Sequence, residues 1–119
     1  MKTQIISNAV LLVAGVGLVD AQGSLDDLTP CSAAVRAFAS KDEAKVREIR
    51  EFVDCIFEQL DHEHKRSGEP GILTDRLKNT LEAAAAGLCS QHQRSTISRE
   101  AAEAYRYLRA LKIRTDVEP

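Results

Sequence analysis

KDEAKVREIREFVDCIFEQLDHEHK, residues 41 to 65, is the stretch whose reading decides the fold. Within it Val46, Ile49, Val53, Ile56 and Leu60 recur every three or four residues, the spacing that gathers side chains on one face of an α-helix. Phe52 and Phe57 widen the stripe on both sides into an arc suited to a helical bundle. Just ahead, Ser40-Lys41-Asp42-Glu43 has the form of a capping box, in which the serine and glutamate side chains satisfy each other's orphan amides, so this helix is expected to begin at Lys41.

Ser67-Gly68-Glu69-Pro70-Gly71 breaks the pattern. A third helix is expected from Leu73 to Cys89, with Leu73, Leu77, Leu81, Ala85 and Cys89 in one i, i+4 row and Leu88 beside it. Its Ala83 to Ala86 segment is strongly helix-forming, and side chains that small permit close helix approach. After a polar connection, Ser90 to Ser95, a last amphipathic helix runs from Ser98 to Ile113, with Ala101, Ala104, Tyr105, Leu108 and Leu111 inward. The tail from Arg114 to Pro119 has no periodicity and is expected to fray. Upstream, Thr29 as N-cap and Pro30 in the first helical position open a helix that ends near Ser40, with Cys31, Ala34, Val35 and Phe38 on its apolar face. No stretch alternates like a strand. The expected fold is all-α: a small four-helix, bundle-like domain over residues 22–119.

Residues 1–21 read as a cleavable signal peptide. Lys2 precedes an uncharged apolar run from Ala9 to Val19, and Val19-Asp20-Ala21 offers a small-residue cleavage site before Gln22. That run is only about half the roughly 20 apolar residues a spanning helix needs. A periplasmic or secreted protein is expected, with no membrane association after cleavage. Removing the leader removes Lys2 and Asp20, so the net charge stays at −2 and nucleic acid is not an evident partner. A domain this short has a modest core and gains from a staple or an oligomeric partner.

In an oxidising compartment the cysteines become candidates for a disulfide. Cys31 lies on the Val35 and Phe38 face and Cys89 on the Leu77 and Leu81 row, so both point inward. At about 100° per residue, Cys55 falls nearly opposite the centre of its helix's seam, among Glu48, Glu51, Glu58 and Gln59. The wheel therefore favours a Cys31–Cys89 bond with Cys55 as a free thiol, and pairing of Cys55 with Cys89 or Cys31 is the competing arrangement. Closing so long a loop contributes about 3 to 4 kcal/mol in the chain-entropy account.

The sequence then resembles a known family. A cysteine opening the first helix, a longer helix, a Gly/Pro loop and a helix ending in a second cysteine are similar to the acid-stress chaperones HdeA/HdeB. The nearest stretch runs from Thr74-Asp75-Arg76-Leu77 through Leu88-Cys89-Ser90-Gln91-His92 to Arg99-Glu100-Ala101-Ala102-Glu103. That resemblance implies a periplasmic, ATP-independent holdase, dimeric near neutral pH, that loosens in strong acid and covers the apolar surface of unfolding client proteins. It maps Cys31 and Cys89 onto the family's disulfide pair. If acid loosening is the mechanism, Val46, Val53, Ile56 and Leu60 are the expected client or dimer surface. A weaker resemblance, to secreted Tai-type immunity proteins, implies a Cys55–Cys89 bond and a module that neutralises a specific partner toxin or enzyme.

Asp61-His62-Glu63-His64 is the most metal-like string, but helical zinc ligands sit at i, i+3 or i, i+4, whereas His62 and His64 diverge by about 200°. The string is read as a solvated helix end whose His64, Lys65 and Arg66 complement the helix dipole. His92 follows Cys89 by three residues, but a disulfide-bonded Cys89 is no nucleophile. No nucleophile-elbow serine is present. The carboxylates are dispersed in pairs such as Glu43 with Arg47. Neither enzymatic activity, a metal nor another cofactor is expected. Neutralising every carboxylate of residues 22–119 while charging the three His moves side-chain charge from −2 to about +18, a repulsion large enough to loosen a small bundle.

The exported form is expected to begin at Gln22. Mass spectrometry of the periplasmic protein checks this, and a mass that retains residues 1–21 would also remove the argument for oxidised cysteines.

Overall fold

The longest apolar stripe folds as one helix of 24 residues, α2 (Glu43–Arg66), in a computed structural model that describes residues 25–117. The expected leader and its cleavage site lie outside the described residues. Around α2 stand α1 (Cys31–Ala39), α3 (Asp75–Gln91) and α4 (Ile97–Val117), with no strand among the described residues. α4 packs on α2 and α3, α1 also packs on those two helices, and α2 and α3 touch each other. The architecture is the all-α, four-helix one that the periodicity predicts.

The helix starts differ from expectation, each for a local reason. Ser40 closes α1, its Oγ donating to the Ala37 carbonyl at 3.3 Å, and so is not free to cap α2. Lys41 then takes a left-handed φ of 56°, and the cap of α2 is Asp42, whose Oδ1 accepts from the Lys45 amide at 3.1 Å. The Ser40–Glu43 capping box therefore does not form. At α1, Pro30 rather than Thr29 is the N-cap residue, and the Thr29 hydroxyl turns back to Asp26. The first amides of α1 need no side-chain cap, because Cys31 donates to the Ser95 carbonyl at 2.8 Å and Ser32 to that of Gln93 at 3.1 Å. In return, Ile97 of α4 donates to the Thr29 carbonyl at 3.0 Å. α3 starts at Asp75 behind the Thr74 cap, two residues later than expected. α4 runs past Ile113 to Val117, so the described part of the expected frayed tail is helical.

The core confirms the period and corrects its phase. On α2 the buried row is Ile49, Val53, Phe57 and Asp61 at strict i, i+4 spacing, flanked by half-buried Val46, Ile56 and Leu60. Phe57, expected at the edge of the stripe, is fully buried at its centre, because α4 closes over that side. On α1 Ala37 is buried in place of Phe38, which is 45% exposed. Leu81, Ala85 and Cys89 of α3 and Ile97, Ala101, Ala104 and Tyr105 of α4 complete the interior.

Cys31 and Cys89 are bonded across 58 residues with their Cα atoms 4.9 Å apart, and Cys55 is free and exposed, as the wheel assignment has it. Replacing both bonded cysteines by Ala should lower unfolding stability by about 3 to 4 kcal/mol. Cys55→Ser should change it by less than about 0.5 kcal/mol. Denaturant titration of the three proteins measures both effects, and equal losses would contradict the pairing.

Candidate functional site

Two arrangements outside the bare core carry unusual chemistry. The first is built on the last turns of α2. Because 61 follows 57 by four residues, Asp61 continues the buried row and is only 3% exposed. Its Oδ1 accepts from the Ile72 amide at 2.8 Å and from the Tyr105 hydroxyl at 2.8 Å, and its Oδ2 lies 3.7 Å from Lys65 Nζ. The Tyr105 ring, itself fully buried, stacks on His64 with centroids 6.0 Å apart, and His64 Nδ1 is hydrogen-bonded to Glu69. Arg109 Nη1 donates to the Pro70 carbonyl at 2.8 Å and its Nη2 lies 3.6 Å from Glu69 Oε1.

These bonds tie the loop of residues 67–74 to α2 on one side and α4 on the other. Gly71 is what lets the loop close. A Cβ there would stand 2.6 Å from Asp61 Oδ2 and 2.3 Å from Lys65 Cε, so any other residue displaces the carboxylate or its partner. The solvated-helix-end reading of residues 61–64 is thereby corrected: His62 and Glu63 are exposed, but Asp61 is interior and His64 half-buried. Among the described residues no group of three or more His, Cys, Asp or Glu converges as a metal centre would.

Burial alone would raise the Asp61 carboxyl's pKa. The Ile72 amide, the Tyr105 hydroxyl and the Lys65 charge together outweigh it and hold the group below its ordinary value of 3.8. Burial, followed by the Asp61 hydrogen bond and charge, pushes the Tyr105 hydroxyl well up. The His64 hydrogen bond holds Glu69 below its ordinary value of 4.5.

The second arrangement is an apolar cleft of about 270 Å³ between α1, α2 and α3, walled by Ala34, Phe38, Val46, Ile49, Val53 and Ala86 and backed by the disulfide at Cys89. Arg50, Asn79 and Glu82 form its polar edge. Arg50 Nε lies 3.3 Å from Glu82 Oε1, and Asp54 meets Glu82 from α2. Burial, then the hydrogen bond and charge of Asp54, pushes the Glu82 carboxyl up to about 7 against the pull of Arg50 and Lys78. Asp54 Oδ1 is buried and receives no N–H or O–H from the described residues.

Of the four residues expected to form a client or dimer surface, Val46 and Val53 line this cleft, while Ile56 and Leu60 pack half-buried against the core. Val53, at 5% exposure, offers no surface in the folded chain beyond its part of the cleft wall. His92, considered as a thiolate partner, has its Nδ1 3.3 Å from Oε1 of the buried Glu100, and Cys89 is in the disulfide. The sequence reading missed Asp61, whose signal was an acid continuing an apolar i, i+4 row. It also missed the Asp54–Glu82 pair, which has no local signal.

No protein-family model, curated protein or solved structure matches this chain.

Asp61→Asn and Tyr105→Phe should each cost about 1 to 3 kcal/mol at pH 7, since each leaves a buried polar group short of its partner. A double-mutant cycle should show coupling of at least about 0.5 kcal/mol. Because the folded-state pKa of Asp61 is depressed, its contribution is present above pH 3.8 and lost as pH falls through the folded value. The deficit of Asp61→Asn should therefore shrink in strong acid, which pH-dependent denaturation checks.

Proposed function

We propose that this chain is an exported, ATP-independent and non-enzymatic chaperone of the acid-stress holdase type. In strong acid it would loosen and bind unfolding clients, or in milder conditions a second copy of itself, through apolar helix surface. The observation that carries this reading is the Asp61 carboxylate, buried where α2, the 67–74 loop and α4 meet and held there by two hydrogen bonds that its charge strengthens. Protonating it discards the charge that strengthens the bonds from Ile72 and Tyr105. Loop and α4 then separate more easily from α2, and the surface so freed includes Phe57, Ile72 and Tyr105, with Val53, Ile56 and Leu60 beside them. The Cys31–Cys89 bond limits the expansion.

Partially opened, covalently restrained helical states of this kind bind apolar dyes and keep their helix. Periplasmic or secreted location belongs to the same proposal; no helix among the described residues is long and apolar enough to cross a membrane. A neutral-pH immunity module would instead present a fixed paratope to one tight partner. The exposed large apolar side chains are separate: Leu28 precedes α1, Phe38 is on α1 and Tyr107 on α4.

The test is suppression of client aggregation by the oxidised protein at pH 2 and pH 7, with dye binding followed across the range. Protection is expected at pH 2 and not at pH 7, with dye binding beginning below pH 3.8. Asp61→Asn, which lacks the charge at every pH, should move that onset upward. An oxidised protein that stays compact and inactive at pH 2 would overturn the proposal.

A further inference from the structure

We infer that the cleft between α1, α2 and α3 is a binding site, in the folded chain, for a small amphipathic cation: an apolar body no larger than an aromatic ring with a short alkyl arm, ending in a protonated amine placed at Glu82. The site is independent of acid loosening, since it needs the helices closed.

Size and lining set the apolar half of the ligand. At about 270 Å³ the cleft lies at the small end of ligand pockets, and Ala34, Val46, Ile49, Val53 and Ala86 give its walls no hydrogen-bonding group. Phe38, left 45% exposed at its rim, is placed to cover an apolar occupant. Charge sets the other half. The groups facing Glu82 are Asp54 and Arg50 from α2 and Lys78 from its own helix, and Lys78 is already bonded to Glu58 at 2.9 Å. Arg50, Asp54 and ionised Glu82 sum to −1, and a proton between the carboxyls neutralises them. A bound ammonium does the same with three N–H donors placed at Glu82, the carboxyl that lines the cleft.

An anion would meet two carboxyls. A neutral ligand would leave the proton where it is. A cation replaces that proton, which passes to the solvent, so its affinity rises as pH climbs through the Glu82 titration near 7.

The probes are 4-phenylbutylammonium and 4-phenylbutan-1-ol, equal in shape and different in charge, titrated into the oxidised protein with backbone amide shifts as the readout. At pH 8 both should perturb Ile49, Val53 and Ala86, the ammonium binding about tenfold or more tightly. At pH 5, where Glu82 holds its proton, the preference should largely vanish. Calorimetry near pH 6.5 in two buffers of different ionisation enthalpy should show proton release on ammonium binding and none for the alcohol. Glu82→Gln should bind the two probes alike, and Ala86→Leu, which fills the cleft without touching its charge, should bind neither while keeping the wild-type helical content. Equal affinities at pH 8 would overturn the cation assignment. Shifts elsewhere on the surface, or full binding by Ala86→Leu, would overturn the site, and none of these results bears on the acid holdase reading.

Discussion

The Cys31–Cys89 bond is the constraint on which the rest of the structure depends. α1 is nine residues long, well short of the roughly 12 to 15 that an isolated helix needs even for marginal stability in water. It persists because its first residue is fixed to the last turn of α3 and its first amides are taken by the carbonyls of Ser95 and Gln93. Through that anchorage Ala34 and Ala37 reach the core, and α1 becomes a wall of the cleft. Without the bond the same nine residues would have little besides two small buried side chains to hold them.

The other end of α3 is closed by different chemistry. There the 67–74 loop is held by the Asp61 carboxylate and the Arg109 guanidinium, one reaching from α2 and the other from α4. A disulfide is indifferent to proton concentration over the acid range, whereas a buried carboxylate is not. The molecule thus has one closure that acid leaves alone and one that acid weakens, about a helix length apart. On the proposed reading, lowering the pH would relax the Asp61 end, while α1, α3 and the turn into α4 stay linked at the other.

The number of helices, the α3 row and most of the α4 inner face were legible because a 3.6-residue period needs no knowledge of the partner. The cysteine pairing was legible for the same reason, since inward and outward positions differ by half a turn. Phase was harder. On the short α1 a one-residue shift exchanges Phe38 for Ala37, and on α2 the presence of α4 moves the centre of the stripe to Phe57. Ser40 and Asp42 both look like caps, and only the end of α1, which engages Ser40, decides between them. Asp61 sits in a charged string that reads as solvated. Its partners Ile72 and Tyr105 are 11 and 44 residues away, beyond any local pattern. The Asp54–Glu82 meeting likewise depends on how α2 lies on α3.

If the chain loosens in acid as proposed, two carboxyls shifted in opposite directions, half-buried Glu82 and buried Asp61, would give that response a threshold rather than a slope. Glu82 binds its proton more tightly folded than unfolded, so its contribution is full below 4.5 and is lost as pH rises through about 7. Falling pH therefore first relieves the repulsion between Asp54 and Glu82 and draws α2 and α3 together. Asp61 is still ionised at that stage, because its partners hold it below 3.8. On that reading mild acid would tighten one seam before strong acid loosened the other. A chain built only from dispersed surface carboxylates would lose stability gradually over the whole carboxylate range. This one, on the proposed reading, would keep its interior closed until the proton concentration is high enough to neutralise Asp61.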